Sequence, residues 1–302
     1  MKNNPEHLRF LPPCDLCGGF HFQAVTVGGE SAHRCQTCRL VRLDTLRTQC
    51  TIPSASQKRA VILERSLRSH LKKISTEQAT ILLVGPTAPQ LANSLTSNKN
   101  LTIHLLTESE TPAPRGVIRH VLSIEQAAFI PDLFDLIVAD ITAQPIPPSL
   151  LLQKARLWLK PERDLLLLAD NSASLVATFW RRAWMTQRGA GLTHLLTSHH
   201  LERYAGRSGF QVRWLRTVSI ADAVAEVIAK GNRPSHATNA IAHVVAGVAR
   251  LVSAGEMVAA QFQKRGTAPI PLHKSLAERD QATGLAHAMY VGVKREASVE
   301  PG

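Results

Sequence analysis

Four cysteines, Cys14, Cys17, Cys35 and Cys38, form the pattern C-x2-C-x17-C-x2-C, and no other feature restricts the folding of this chain as much. Thiols two residues apart sit on a tight knuckle that aims both sulfurs at one point. A second knuckle completes a tetrahedron of the ligands that zinc favours. A redox CxxC needs no second pair, so the pattern reads as a metal centre. Gly18, directly after the first pair, supplies the positive φ that such turns often take, whereas Arg39 holds the matching place after the second. Between the knuckles FHFQAVTV alternates as a strand does, and Gly28-Gly29 marks a hairpin turn. The expectation is a zinc ribbon over residues 1–50. Its ion is structural, because four protein ligands leave no position open for water, and a module this short does not fold without its metal. His21 and His33 lie nearby but are surplus to four cysteines, and Cys50 stands alone as a free thiol.

The chain has 302 residues, of which 44% are hydrophobic and 19% charged, a composition that suits a large folded domain beside the ribbon. No apolar run approaches the roughly 20 residues that cross a bilayer, and the first residues, MKNNPEHLRFLPPC, lack the apolar core of a secretory signal. The expected location is the cytoplasm, where thiols stay reduced and available to metal. The net charge of +12 is unevenly spread, with +6 in residues 1–80, −1 in 81–165 and +7 in 166–302. A basic surface attracts anionic partners, nucleic acid among them. The basic residues are scattered and aromatics make up only 5%, so a solvated surface is the favoured reading over a nucleic-acid footprint.

Residues 48–56 read as a linker, and 57–74 as an amphipathic helix with apolar residues at 61, 67, 71 and 74 and a favourable Glu64–Arg68 pair. From residue 79 strand and helix patterns alternate, which favours a parallel sheet covered by helices. Strands are predicted at 79–84, 101–106, 116–121, 133–139, 164–170 and 210–218, and helices at 88–97, 148–159 and 198–207. Runs such as ILLV, LIVA and LLLL are apolar on both faces, as buried parallel strands are. After 218 the pattern is helical again. The last strand falls either at 287–295 or at the competing segment 256–265, and only the final residues, 297–302, read as disordered.

CxxCG is followed by CQTCRLVRLD; ILLVGPTAPQLANSL, FIPDLFDLIVADI, LLQKARLWLKPERDLLLLADNSAS and HLLTSHHLERYAGRSGFQV come after them in that order. This succession resembles class I S-adenosylmethionine-dependent methyltransferases that carry an N-terminal zinc-binding ribbon, and the likeness spans nearly the whole chain. It implies an α/β, Rossmann-like fold with a seven-stranded, mostly parallel sheet over residues 56–296, with a helical insertion at about 219–285 before the last strand. It further implies a zinc ion, S-adenosylmethionine as cofactor, and methyl transfer to a small biosynthetic acceptor, of sugar type in many such proteins. Gly85 and Thr87 would line the methionine part of the cofactor, Glu108 the ribose and Glu125 the adenine. The loop Gly85-Pro86-Thr87-Ala88-Pro89 keeps the first glycine of that family's turn and replaces the others, and two prolines remove two backbone donors.

Ligands gather at the carboxyl ends of strands in open α/β sheets, so Asp140, which ends a strand, is a candidate catalytic group, with Asp170 and Asn171 in the same position one strand on. His194 precedes a helix and can take a proton near neutral pH. Each has a plainer reading: Asp140 as a turn cap, His194 as a structural histidine, Trp180 and Trp184 as one buried helical face. Two other functions remain open: an inactive methyltransferase-like protein serving binding or assembly, and a nucleic-acid binder or modifier using the basic surface.

Overall fold

Strands β1 (Phe22–Val27) and β2 (Glu30–Cys35) pair antiparallel through the Gly28-Gly29 turn, both glycines at positive φ (62° and 90°), and β3 (Val41–Leu43) adds to β2. The computed structural model describes residues 11–44, 56–74, 78–108, 113–142, 146–188, 192–229 and 234–266. Cys50, most of the linker, the alternative strand at 287–295 and the segment 297–302 lie outside them. Next come α1 (Ser56–Ile74), β4 (Ala79–Val84), α2 (Ala88–Leu95), β5 (Leu101–Thr107), β6 (Val117–Val121), β7 (Phe134–Asp140), α3 (Pro148–Trp158) and β8 (Leu159–Asp170). The order continues with α4 (Leu175–Phe179), α5 (Arg181–Arg188), β9 (His194–Leu195), α6 (Ser198–Arg207), β10 (Phe210–Val218), α7 (Ala221–Ile228), α8 (His236–Leu251) and β11 (Met257–Lys264).

Seven strands form one sheet in the order β10-β11-β8-β7-β4-β5-β6. All run parallel except β11, which is antiparallel to both its neighbours. The chain leaves β4 towards β5 on one side and returns to β7 on the other, so the topological switch point lies between the carboxyl ends of β4 and β7. This is the Rossmann-like arrangement expected, with a reversed strand inserted next to the edge. The strand that completes it is 257–264, so the helical segment before it spans 219–256 and stops short of the predicted 285. The sequence is ambiguous there because MVAAQFQK is rich in good helix formers. Burial on both faces overrides that propensity, with Met257, Val258, Ala259 and Ala260 at most 2% exposed.

Strand β7 shows how the sheet divides the core: Ile137 and Ala139 join one cluster, Leu136 and Val138 the other. On one face Trp158, Leu151 and Leu152 of α3 and Leu201 and Tyr204 of α6 pack with Phe134 and Phe262. Cys14, Leu16, Cys35, Cys38 and Leu40 belong to that same cluster, so the ribbon shares its core with the sheet, and the described residues up to Arg265 form one compact unit. On the other face α1 and α2 cover the sheet. The inward stripe of α1 is Ala60, Leu63, Leu67 and Leu71; Leu67 and Leu71 were expected there, but Val61 is 43% exposed because the stripe is phased one residue earlier. The Glu64–Arg68 pair forms, at 2.6 Å. Trp184 is buried in a third cluster, with Trp180 packed against it, joining α4, α5, α7 and α8 to the ribbon hairpin.

Candidate metal centre and active site

The four cysteine sulfurs lie within 4.8 Å of one another, with no disulfide among them. Sγ of Cys14 is 3.5 Å from that of Cys38, and Sγ of Cys17 is 3.4 Å from that of Cys35. A tetrahedron with metal–sulfur bonds of about 2.3 Å has edges of about 3.8 Å, so a small ion fits at its centre. The two knuckles repeat one another. Cys14 N donates to Gly19 O and Gly18 N to Cys14 O; Cys35 N donates to Leu40 O and Arg39 N to Cys35 O. Gly18 and Arg39 accordingly share a left-handed conformation, at φ 73° and 65°. Backbone N–H groups of Leu16 and Cys17 face the Cys14 sulfur, those of Thr37 and Cys38 face Cys35, and that of Leu40 faces Cys38. Burial pushes the Cys14 thiol up to about 11 and Cys38 further. At Cys35 burial is outweighed by these donors and by the Cys17 thiol, and the value falls to about 7. A cation at the centre relieves the cost of holding buried thiolates. His33 pairs with Asp44 at 3.0 Å and His21 is exposed, so neither enters the set.

The ribbon is clamped to the larger sheet around Asp15, which lies between the first two cysteines. Its Oδ2 accepts from the Tyr204 hydroxyl at 2.7 Å and from Ser149 Oγ at 3.1 Å, and its Oδ1 is 3.3 Å from His194 Nε2. Burial pushes this carboxyl up, but His194 and the two hydroxyls outweigh it and hold it at about 2. Arg207 donates to Leu16 O, and His200 Nε2 is 3.2 Å from Cys38 O. Strand β9 completes the ribbon sheet by pairing with β3, Arg42 opposite His194. Arg34, Arg39 and Arg42 are balanced in the described ribbon by Asp15, Glu30 and Asp44, so the ribbon itself is not a basic face.

At the switch point Gly85, at φ 97°, lies so close to β7 that a Cβ would sit 1.9 Å from the Asp140 carbonyl oxygen. That close backbone approach accounts for the glycine. Thr87 caps α2 in position only, because its hydroxyl makes no cap bond and is fully buried against the Asp140 carboxylate. Asp140 is 0% exposed; its Oδ1 accepts from the Thr142 N–H at 3.0 Å and hydroxyl at 2.5 Å, and its Oδ2 faces Arg59 Nε at 3.6 Å. Burial raises its carboxyl, and Arg59 and the threonines only partly offset this. Arg59, on α1, is 1% exposed, and its Nε and Nη2 have no hydrogen-bond acceptor. Glu108 follows β5 and is exposed, beside this cluster in strand order. Glu125 is exposed beyond β6, its carbonyl accepting from Lys154.

One strand further, a pocket at the carboxyl ends of β7 and β8 is lined by Ile141, Ile146, Asp170, Thr193, His194 and Leu196, among others. His194 is 7% exposed, and its Nδ1 lies 2.8 Å from Thr193 Oγ1. Asn171 is occupied structurally, donating to Gly255 O. The structure therefore gathers Gly85, Thr87 and Asp140 into one cluster and puts His194 in an adjacent pocket, while Glu125 stands apart on the surface. Arg59, Asp15 and Thr193 were not legible as site residues. Arg59 alone carried a signal, an arginine at i−4 and i−8 from Leu63 and Leu67, on the stripe that periodicity reserves for apolar residues.

No protein-family model matches the chain, and no curated protein matches it. Solved structures do. A proposed sarcosine dimethylglycine methyltransferase from Galdieria sulphuraria is 11% identical, over 72% of this chain and 93% of that one, with a TM-score of 0.49. A chain of the complex between the Haloferax volcanii Trm112 methyltransferase activator and a proposed methyltransferase is 11% identical, over 72% and 100%, with a TM-score of 0.48. An S-adenosylmethionine-dependent methyltransferase from Mesorhizobium loti is 11% identical, over 62% and 92%, with a TM-score of 0.43. At such identities the likeness is one of fold alone. The fold is set by this chain's own strand order: a Rossmann-like, mostly parallel seven-stranded sheet preceded by a four-cysteine ribbon. Among the described residues no helix is long and apolar enough to cross a membrane.

Proposed function

We propose that this chain is an S-adenosylmethionine-dependent methyltransferase that acts on a small biosynthetic acceptor bearing a hydroxyl, such as a sugar, with a structural zinc ion in the four-cysteine centre. The observation that carries the reading is the buried cluster of Arg59, Thr87 and Asp140 at the switch point. Arg59 Nε and Nη2 lack hydrogen-bond partners, and buried polar groups are otherwise almost always satisfied. A ligand with a carboxylate and an ammonium, as at the amino-acid end of S-adenosylmethionine, complements Arg59 and Asp140 respectively. Glu108, exposed after β5, suits the ribose hydroxyls. When bound, S-adenosylmethionine supplies a methyl carbon made electrophilic by its sulfonium.

The protein's own work is positioning and proton removal. Asp140 is enclosed on the cofactor side, which assigns it to ligand binding and leaves His194, in the neighbouring pocket, to receive the proton of the acceptor hydroxyl. Ile141, Ile146 and Leu196 line that small pocket together with Asp170 and Thr193. Glu125, exposed beyond β6, retains the adenine side only as part of this proposal.

One observation favours a second reading, an inactive methyltransferase-like binding protein. Arg59 and Asp140 offset one another's charge out of solvent, so the cluster is electrically complete without a ligand. Calorimetric titration of the zinc-loaded protein with S-adenosylmethionine and S-adenosylhomocysteine separates the two. Micromolar binding, weakened about tenfold by Glu108→Ala through loss of a charged hydrogen bond, is the expected outcome. No binding by the folded protein would sink the methyltransferase reading in favour of the second.

A further inference from the structure

We propose that Asp15, on the first zinc knuckle, is a positioning residue for His194. Its carboxylate holds the imidazole with the proton on Nε2, so that the ribbon completes the acceptor-side proton relay of the larger domain. The chemistry rests on the methyltransferase reading above; the geometry does not.

The assignment follows from counting donors and acceptors. A neutral imidazole has one N–H and one lone pair, and an ionised carboxylate can only accept. His194 Nε2 lies 3.3 Å from Asp15 Oδ1, close enough for an ion pair but outside hydrogen-bond geometry. A lone pair turned to a carboxylate at that distance is repelled, so the nitrogen on that side carries the hydrogen and Nδ1 carries the lone pair. Nδ1 lies 2.8 Å from Thr193 Oγ1, and the Thr193 hydroxyl must therefore donate to it. That orientation leaves the lone pairs of Thr193 Oγ1 free of their own hydrogen, on a residue that lines the pocket with His194. An acceptor hydroxyl there gives its proton to Thr193 Oγ1 while the Thr193 proton moves to His194 Nδ1. The resulting imidazolium faces the Asp15 carboxylate, which stabilises it.

Two features make this arrangement rigid. Both hydroxyls that bond Asp15, from Tyr204 and Ser149, reach Oδ2 and leave Oδ1 to His194. The backbone of His194 is fixed by the pairing of β9 with β3, so the knuckle and the histidine are registered by a sheet and by side chains together. Asp15 never meets an acceptor; it acts through His194, as the orienting carboxylate of a nucleophile–base–carboxylate constellation does.

The test needs neither cofactor nor acceptor. Protein labelled with ¹⁵N-histidine is examined at pH 8 by long-range ¹H–¹⁵N correlation, the His194 signals being identified by their loss in His194→Gln. The wild type is expected to show the neutral Nε2–H tautomer. In Asp15→Asn the amide oxygen stays on the two hydroxyls and the NH2 turns to His194, so the ring switches to the Nδ1–H tautomer at unchanged zinc content. Thr193→Val, which leaves the knuckle intact, is expected to keep Nε2–H. An Nδ1–H ring or an imidazolium in the wild type would overturn the proposal. So would a tautomer that follows Thr193, or one that Asp15→Asn leaves in place. Because the tautomer is read without ligand, a failure to bind S-adenosylmethionine counts against the methyltransferase reading alone.

Discussion

Asp15, on the ribbon, accepts from two hydroxyls and lies 3.3 Å from His194; Asp140, at the switch point, is fully enclosed and faces an arginine at 3.6 Å. Burial opposes ionisation at both. At Asp15 fitted partners win and the carboxyl drops to about 2, whereas at Asp140 burial wins and the carboxyl rises. The difference lies in hydrogen bonding more than in charge. Asp15 Oδ2 is held by two hydroxyls between two parts of the molecule, and its Oδ1 faces His194 as an ion pair without hydrogen-bond geometry. Around Asp140 the charges are present but Arg59 Nε and Nη2 have no hydrogen-bond partner, which is the condition of a site that a ligand completes.

The hardest way to break the comparison is to remove a ligand from the proposed zinc centre beside Asp15. Cys38→Ser takes away one thiolate, and structural zinc contributes on the order of 10 kcal/mol to the modules that bind it. Cys14, Cys35 and Cys38 pack in the same cluster as Phe134 and Trp158, so the loss does not stay within the ribbon. Elemental analysis should find no zinc, and calorimetry a Tm lowered by about 10 °C or more. A variant that keeps its Tm would mean that the two parts fold independently.

At the other end, Arg59→Met leaves Asp140 buried without its cation and is expected to cost about 3–5 kcal/mol in urea unfolding. The double variant Arg59→Met/Asp140→Asn should regain most of it. If single and double variants are equally unstable, Arg59 acts through packing, and the unfinished-contact reading of this cluster fails. A smaller effect distinguishes the two carboxylates by pH. Asp15 has a folded-state value of about 2 against an ordinary 3.8. Its stabilisation is therefore present above about pH 4 and disappears as pH falls from there towards 2. Asp15→Asn should cost about 2 kcal/mol at pH 6, the gap closing in acid. Asp140, shifted upward, has the opposite sign: what it contributes is present at low pH and declines as pH rises.

Much of the architecture was legible because it depends on short-range pattern. Two CxxC pairs within 25 residues foretold the clustering of four thiols, and the apolar runs at 79–84 and 210–218 matched their strands to the residue. The last strand was ambiguous because alanine, methionine and glutamine prefer helix until a sheet buries them. The polar clusters were opaque for a different reason. Asp15 meets Tyr204 across 189 positions and Ser149 across 134, and nothing local to any of the three announces that meeting. Asp140 was noticed only through its place at a strand end, which identifies the position but not the arginine opposite it.

The gentlest test compares the two knuckles. Gly18 and Arg39 follow the first and second CxxC, adopt φ of 73° and 65°, and donate their N–H to Cys14 and Cys35. A left-handed conformation costs a residue with a Cβ about 1–2 kcal/mol, while glycine gives back roughly 0.5–1 kcal/mol in unfolded-chain entropy. Arg39→Gly should therefore stabilise the protein by a few tenths of a kcal/mol up to about 1, with zinc content unchanged. A Cβ on Gly18 would meet no atom within 4 Å, so Gly18→Ala should cost a similar amount through backbone strain alone. Opposite signs of similar size, read by denaturant midpoint, would show that the knuckles are equivalent and that Arg39 is a tolerated departure. A loss well beyond 1 kcal/mol in Arg39→Gly would mean instead that the guanidinium makes a contribution the shared knuckle geometry does not require.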